Sequence, residues 1–119
     1  MNFIYVGLGG AVGAMLRYGI SQIPWKGAFP VLTLITNLIG AFFIGVIAGA
    51  AEKKGFSAST VLFLKTGLCG GFTTFSTFSL ESVTLLEQGR IGVAGGYMIA
   101  SVVLCLVGVA SGLRLGLGT

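Results

Sequence analysis

The chain has 119 residues, of which 55% are hydrophobic and only 8% are charged. Its mean hydropathy of +1.01 is far above that of a soluble domain of this size, so the composition indicates an integral membrane protein. The net charge of +4 comes from basic residues that form no patch, which excludes a nucleic-acid-binding surface. The chain has no histidine, and its two cysteines, Cys69 and Cys105, lie in apolar stretches. A transition-metal site, a His-based triad and a disulfide are therefore not expected.

The first two hydrophobic stretches predict two membrane-spanning helices. The first covers about residues 3–22, roughly the twenty residues needed to cross a bilayer, with Arg17 in its second half. No positively charged region precedes it and no small-residue cleavage site follows it, so we expect no removable signal peptide. Proline, tryptophan and lysine at positions 24–26 stop the helix at a membrane interface. The second helix covers residues 27–51, with Pro30 in its first turn and Asn37 as its only amide.

The third stretch is too long and too polar at its centre for one straight helix. At about 1.5 Å per residue, residues 57–88 would form a helix roughly 48 Å long, against a hydrocarbon core of about 30 Å. Residues 66–81 read TGLCGGFTTFSTFSLE, in which glycines weaken a helix and hydroxyls compete for its backbone hydrogen bonds. We therefore predict that the third helix is broken near its centre. Backbone exposed there at membrane mid-depth must line a cavity or hold an ion.

A polar turn at residues 52–55 precedes this stretch, and Gly89 and Arg90 lead into a fourth span at residues 91–113, closed by Arg114. The predicted fold is an all-α membrane protein with four transmembrane helices in a single domain, residues 1–119. Glycines recur at four-residue spacing in every span, a pattern that lets helix backbones approach closely. These sets are Gly9 and Gly13; Gly45 and Gly49; Gly67 and Gly71; Gly92 and Gly96; and Gly108, Gly112 and Gly116.

The basic residues are divided almost evenly between the two ends of the predicted spans. One side carries Lys53, Lys54, Lys65 and Arg114, and the other carries Arg17, Lys26 and Arg90. The positive-inside rule therefore does not fix an orientation, and we predict a dual topology. Four helices also leave little room for an aqueous path, so an antiparallel homodimer is the economical arrangement.

The centre of the third span holds the strongest candidates for a binding site. Its hydroxyls are denser than helix contacts require, although Ser and Thr often join membrane helices. Phe72, Phe75 and Phe78 recur every three residues, which is compatible with simple packing. Aromatic rings have positive edges, so rings interleaved with hydroxyl donors are also suited to a narrow path for a small anion. The Asn37 amide can donate to such an anion or bond a neighbouring helix.

Charged residues near the spans allow other interpretations. Arg17 is the deepest, and it suits either a vestibule that concentrates anions or an interface anchor. Lys65 and Glu81 bracket the third span, and both can extend to the interface as ordinary anchors. A small dual-topology multidrug or cation exporter is the alternative function, but it needs an embedded carboxylate, and Glu81 lies toward the end of its span. An accessory subunit without transport is a further alternative. An enzyme is not indicated, because the chain has no candidate nucleophile with a base beside it.

Over nearly its whole length the sequence resembles the Fluc (CrcB) family of small bacterial fluoride channels. The residues that carry the resemblance are GGAVGAMLRY at 9–18, TLITNLIG at 33–40 and GLCGGFTTFSTFSLE at 67–81. The third of these is the most specific. The resemblance implies passive, selective export of fluoride across the bacterial inner membrane by an antiparallel homodimer with two pores.

The resemblance also implies roles for individual residues. Phe75 and Phe78 would line the pore, with Asn37 as a donor to the ion. The backbone carbonyls of Gly70 and Thr73 from both subunits would hold a sodium ion. The other implied pore residues are the hydroxyls of Thr73, Ser76, Thr77 and Ser79, together with Tyr97 and Ser101 in the fourth span.

The sequence departs from the family pattern at three positions. Cys105 occupies a fourth-span position that is often serine, Leu32 stands where glycine is common, and Thr36 stands where valine is common. These differences bear on the polar lining of the fourth span and leave the resemblance itself unchanged.

Overall fold

The computed structural model describes residues 1–119, and every regular element in it is helical. Three helices are long: α1 (Asn2–Ser21), α2 (Val31–Lys54) and α6 (Ile91–Leu117). The chain between α2 and α6 is divided into shorter pieces. These are α3 (Ala58–Val61), a π-helix (Leu62–Cys69), α4 (Gly70–Phe72) and α5 (Phe75–Glu87).

The surface of the chain is what a lipid environment requires. Only 16 of the 119 residues are buried, and the exposed faces of the long helices are largely apolar. α1, α2 and α6 are each long and apolar enough to cross a membrane, with lengths of 20, 24 and 27 residues. The prediction of an all-α membrane protein is therefore confirmed at this level.

The helix ends are set by the loop chemistry that the sequence suggested, with three shifts in position. α2 begins at Val31 instead of residue 27, so Pro30, which cannot donate a backbone hydrogen bond, precedes the helix and does not lie in its first turn; the helix continues through Lys54 to Gly55. Residues 52–54 are thus helical instead of forming a turn, because the chain reverses only at Gly55, whose φ is 71°. α6 likewise extends past Arg114 to Leu117 and ends at Gly118, whose φ is 79°.

The loop between α1 and α2 is held by its tryptophan. The Trp25 indole N–H donates to the carbonyl oxygen of Phe29 at 2.9 Å, which closes residues 25–29 into a compact turn. The Phe29 ring in turn packs edge-on against Tyr97, with ring centroids 5.6 Å apart. This loop therefore carries an aromatic contact from the membrane interface into the helices.

Two helix pairs form the scaffold, and each is packed through glycine. α2 packs along α6, while α1 packs against the π-helix and α4. A Cβ placed on Gly13 would lie 2.7 Å from the backbone nitrogen of Phe72, and one on Gly112 would lie 2.9 Å from that of Val46. Of the glycine sets in the sequence, only Gly92 and Gly96 face open space. The others bring backbones into direct contact, as small residues do in membrane helices.

Candidate functional site

The helical path stops at Thr73 and Thr74, which separate α4 from α5. Both residues are extended, with φ and ψ of −85° and 155° at Thr73 and −148° and 122° at Thr74. Thr74 then caps α5, because its Oγ1 accepts a hydrogen bond from the backbone N–H of Thr77 at 3.2 Å. We refer to Thr73 and Thr74 as the interruption.

Asn37 on α2 binds the interruption at two points. Its Nδ2 donates to the Thr74 carbonyl oxygen at 3.0 Å, and its Oδ1 accepts from the Thr74 backbone N–H at 2.8 Å. In the single subunit the amide thus bonds a neighbouring helix, one of the two roles that its sequence position allowed.

Arg17 reaches the same region from α1. Its Nε donates to the carbonyl oxygen of Gly71 at 3.2 Å, directly before the interruption. The guanidinium also lines a cavity of about 240 Å³ whose other walls are mainly hydroxyls. The remaining lining residues are Ser21, Leu32, Thr33, Thr36, Thr74 and Thr77. A cationic side chain at the rim of a hydroxyl-lined cavity attracts anions.

The hydroxyl groups near the interruption differ in whether their protons are already used. Thr73 Oγ1 donates to the Cys69 carbonyl at 2.9 Å, and Ser79 Oγ donates to the Phe75 carbonyl at 2.9 Å. Thr74 Oγ1 donates to Thr77 Oγ1 at 3.2 Å and also contacts Ser76 Oγ at 3.2 Å. The proton of Thr77 is therefore available to a ligand, whereas those of Thr73 and Ser79 are occupied.

The phenylalanines after the interruption border an open, largely apolar groove of about 390 Å³ between α2, α5 and α6. Phe75 is 78% exposed and touches Phe78, which packs against Tyr97 with ring centroids 5.1 Å apart. The groove is lined by Asn37, Gly40, Ala41, Ile44, Thr73, Thr74, Phe75, Phe78, Ser101, Val102, Cys105, Leu106 and Val109. Most of the sequence-predicted pore residues therefore meet at one surface of the subunit.

Ser101 is a candidate donor of a different kind. Its side chain is only 7% exposed, and its Oγ has no hydrogen-bond partner. A buried hydroxyl without a partner costs free energy unless a ligand or water satisfies it. Cys105, one helical turn further along α6, lines the same groove with a free thiol.

Glu81 is the residue that sequence reasoning placed wrongly. The structure does not extend it to the interface: Oε1 accepts from the Tyr97 hydroxyl at 2.8 Å and Oε2 accepts from Thr33 Oγ1 at 3.0 Å. Tyr97 is itself fully buried. The sequence did contain a signal for this position of Glu81, because an ionisable residue within a membrane segment generally faces partners inside the protein. Tyr97 therefore contacts Glu81 and Phe78 but does not itself line the groove.

Backbone carbonyls at the interruption have the chemistry of ligands for a hard cation. The Thr73 carbonyl accepts no backbone or side-chain hydrogen bond. The Thr74 N–H, which would bond the Gly70 carbonyl in a continuous helix, is instead taken by Asn37. Carbonyl oxygens without donors suit a cation that prefers oxygen ligands, whereas no group of three or more His, Cys, Asp or Glu side chains is close enough to bind a metal.

Comparison with known proteins identifies the relatives of this chain. A sequence profile of the CrcB-like protein, Camphor Resistance (CrcB) family matches residues 4–113. A protein of Paracoccus denitrificans is 42% identical over 119 residues, covering 98% of this chain and 95% of its own length. A protein of Rhodopseudomonas palustris is 43% identical over 119 residues, covering 97% and 96%. Both relatives are named fluoride-specific ion channel FluC. The resemblance read from the sequence is confirmed, and the chain belongs to the CrcB family.

Proposed function

We propose that this protein is a fluoride-selective channel of the bacterial inner membrane that lets fluoride leave the cell down its electrochemical gradient. The observation that carries the proposal is the interruption at Thr73 and Thr74, where phenylalanines and hydroxyls border one groove. The relatives named as fluoride-specific channels, which match almost the whole chain, support it. The function is transport, with no bond made or broken.

The groove offers the interactions that a small anion needs. Fluoride is strongly hydrated, so a path for it must replace water with several donors, whereas chloride is larger and gains less from a narrow donor-lined track. At the groove, Ser101 supplies a hydroxyl whose proton is free and Asn37 retains one unused N–H, while the free hydroxyl proton of Thr77 lies in the cavity that Arg17 lines. The rings of Phe75 and Phe78 present positive edges without a full charge that would trap the ion. Arg17 concentrates anions at the adjacent cavity, which we propose as a vestibule.

We propose that residues 58–87 together form the third of four membrane crossings in one domain, residues 1–119. A short loop joins α1 to α2, whereas this segment lies between α2 and α6 and has the length to return the chain across the bilayer. Its π-helix and interruption would then lie at membrane depth, where irregular backbone occurs only beside a cavity or within protein.

The groove indicates that a single subunit is incomplete. It lies open on one side, and the large Phe75 side chain at its edge is 78% exposed. A second copy, inserted in the opposite orientation as the charge balance allows, would close the groove and provide two equivalent paths. Reporters fused to the C-terminus test this directly: the proposal expects signal on both faces of the membrane, and signal on one face only contradicts it.

We further propose a structural sodium ion at the centre of this dimer. The Gly70 and Thr73 carbonyls from both subunits would hold it, and it would neutralise their partial charges in a setting without water. The support for the ion is the Thr73 carbonyl, which has no donor within the subunit. Two subunits would place two such carbonyl sets near one axis, which fits the several oxygen ligands that a hard cation requires.

Fluoride-selective electrode measurements on purified protein in liposomes test the function. The proposal expects fluoride efflux without chloride efflux and without a proton gradient. A cation exporter would require its embedded carboxylate to exchange protons, and Glu81, with both oxygens hydrogen-bonded, is the residue it would use. Proton-coupled cation movement without fluoride flux would support that alternative, and no flux of any ion would support an accessory subunit.

A further inference from the structure

We propose that Asn37 is a positioning residue for the cation: its side chain pairs with the Thr74 peptide and thereby leaves the Gly70 and Thr73 carbonyls free to face the ion. This inference rests on the sodium site proposed above. It assigns Asn37 a structural task at the interruption in addition to donation to a passing anion.

The first step is the fate of the Thr74 peptide group. In a continuous α-helix its N–H would donate to the Gly70 carbonyl four residues earlier. Here Asn37 Oδ1 takes that proton at 2.8 Å, and Asn37 Nδ2 donates to the Thr74 carbonyl at 3.0 Å. Both polar groups of Thr74 are thus satisfied from a different helix, so the carbonyls of Gly70 and Thr73 are left without donors where the helical ladder ends.

The second step is the choice of residue. A carboxamide is chemically a peptide group with one acceptor and a donor beside it, so it can pair with an extended peptide as a neighbouring strand does. Aspartate has no donor, the serine hydroxyl is too short to bond both groups of Thr74, and leucine has neither donor nor acceptor. Asparagine is therefore the smallest side chain that satisfies both groups of Thr74 at once.

The third step is the close approach of α2. Gly40 lies about one helical turn after Asn37, and a Cβ at that position would collide with the methyl group of Thr73. The absence of a side chain at Gly40 therefore allows α2 to lie directly against the interruption. Glycine and asparagine on one face act together: the first permits the contact and the second fixes its hydrogen bonds.

The experiment measures sodium binding by its effect on thermal unfolding of the protein in lipid nanodiscs, with choline replacing sodium. Sodium that binds only the folded protein raises the unfolding midpoint in a concentration-dependent way. Two changes remove the pairing: Asn37→Leu, which has similar size, and Asn37→Ser, whose short hydroxyl cannot satisfy both groups of Thr74. Thr36→Val is the control, because the Thr36 hydroxyl bonds the Leu32 carbonyl of its own helix and does not contact the interruption.

We expect Asn37→Leu and Asn37→Ser each to raise the sodium concentration for half-maximal stabilisation by at least about fivefold, the equivalent of one lost hydrogen bond. Thr36→Val should change this sodium concentration by less than about twofold. If both changes at the pairing leave the sodium dependence within that range, the positioning role is wrong. Asn37→Ser, which is smaller and polar, decides the matter if Asn37→Leu does not fold. If the wild-type protein shows no response to sodium, the ion and this inference both fall, whereas fluoride efflux from liposomes still tests the channel separately.

Discussion

The α2–α6 pair and the interruption at Thr73 and Thr74 meet one requirement of a lipid environment in opposite ways. That requirement is that every backbone polar group finds a partner within the protein. Within α2 and α6 the helical ladder satisfies backbone groups internally, so the helices need only a close fit. Glycines provide it: a Cβ on Gly45 would lie 2.8 Å from the Leu113 nitrogen. At the interruption the ladder stops, and side chains from α1 and α2 bond the backbone instead.

The difference teaches where the chain can tolerate change. The helix pair has no space for an added carbon atom but requires no particular polar group. The interruption borders open space in the groove, yet it depends on the donors and acceptors of individual side chains. Substitutions that add volume should therefore damage the first region, and substitutions that remove a polar atom should damage the second.

The largest effect is expected from adding volume to the helix pair. Gly112→Val would place carbon atoms against the Phe42 carbonyl and the Val46 nitrogen, so α6 must move away from α2. We expect a loss of at least about 3 kcal/mol in the free energy of unfolding, or no folded protein. Gly92→Val is the matched control, because nothing lies within 4 Å of that position in the subunit. Equal losses, measured by unfolding in mixed micelles, would show that glycine packing does not distinguish the sites.

The next effect comes from removing one polar atom among the helices. Tyr97→Phe deletes the hydroxyl that donates to Glu81 at 2.8 Å but keeps the ring contacts with Phe29 and Phe78. The carboxylate then keeps Thr33 as its only side-chain donor. We expect a loss of about 2 kcal/mol in the free energy of unfolding, because a hydrogen bond to a charged group is lost.

Tyr18→Phe is the control for this change, since Tyr18 is 65% exposed and its hydroxyl makes no hydrogen bond. A Tyr97→Phe protein as stable as this control would mean that Glu81 finds another donor.

The long helices were predictable because hydropathy and length are local properties. α1 differs from its predicted bounds by one residue at each end, and the later ends of α2 and α6 follow from single glycines at positions 55 and 118. The π-helix was not predictable: Gly67 weakens an α-helix, but nothing in the order of its residues marks the wider turn.

The candidate site was predictable in composition and less so in contacts. The residue types in residues 66–81 indicated a polar stretch, and four of these residues, Thr73, Thr74, Phe75 and Phe78, line the groove, whereas Ser76, Thr77 and Ser79 do not. Which hydroxyl bonds which carbonyl depends on rotamers and on neighbouring helices, so the used protons of Thr73 and Ser79 had no sequence signature. The position of Glu81 depends on Thr33 and Tyr97, which are distant in sequence.

A third prediction separates stability from transport at the edge of the groove. Phe75 is 78% exposed in the subunit and contacts one aromatic neighbour, Phe78. Phe75→Ile should therefore leave the fold of the subunit intact while removing a ring edge from the proposed path. We expect fluoride efflux to fall at least about tenfold, equivalent to about 1.4 kcal/mol in the barrier. Wild-type efflux by a correctly folded variant would remove Phe75 from the pore.

The smallest effect distinguishes two serines on α5 that the sequence treats alike. Ser79 Oγ already donates to the Phe75 carbonyl, a bond within its own helix, so its proton is not available to an ion. Ser76 Oγ is exposed and donates only to another hydroxyl, Thr74 Oγ1, whose own proton is used on Thr77. This exposed bond is exchanged for an ion more readily than a bond within the helix. Ser79→Ala should therefore change fluoride efflux by less than about twofold, whereas Ser76→Ala should lower it by about threefold to fivefold, the cost of one donor. The reverse order would mean that Ser79 turns its hydroxyl toward the ion during transport, because a serine rotamer can exchange a helix carbonyl for a stronger, charged acceptor.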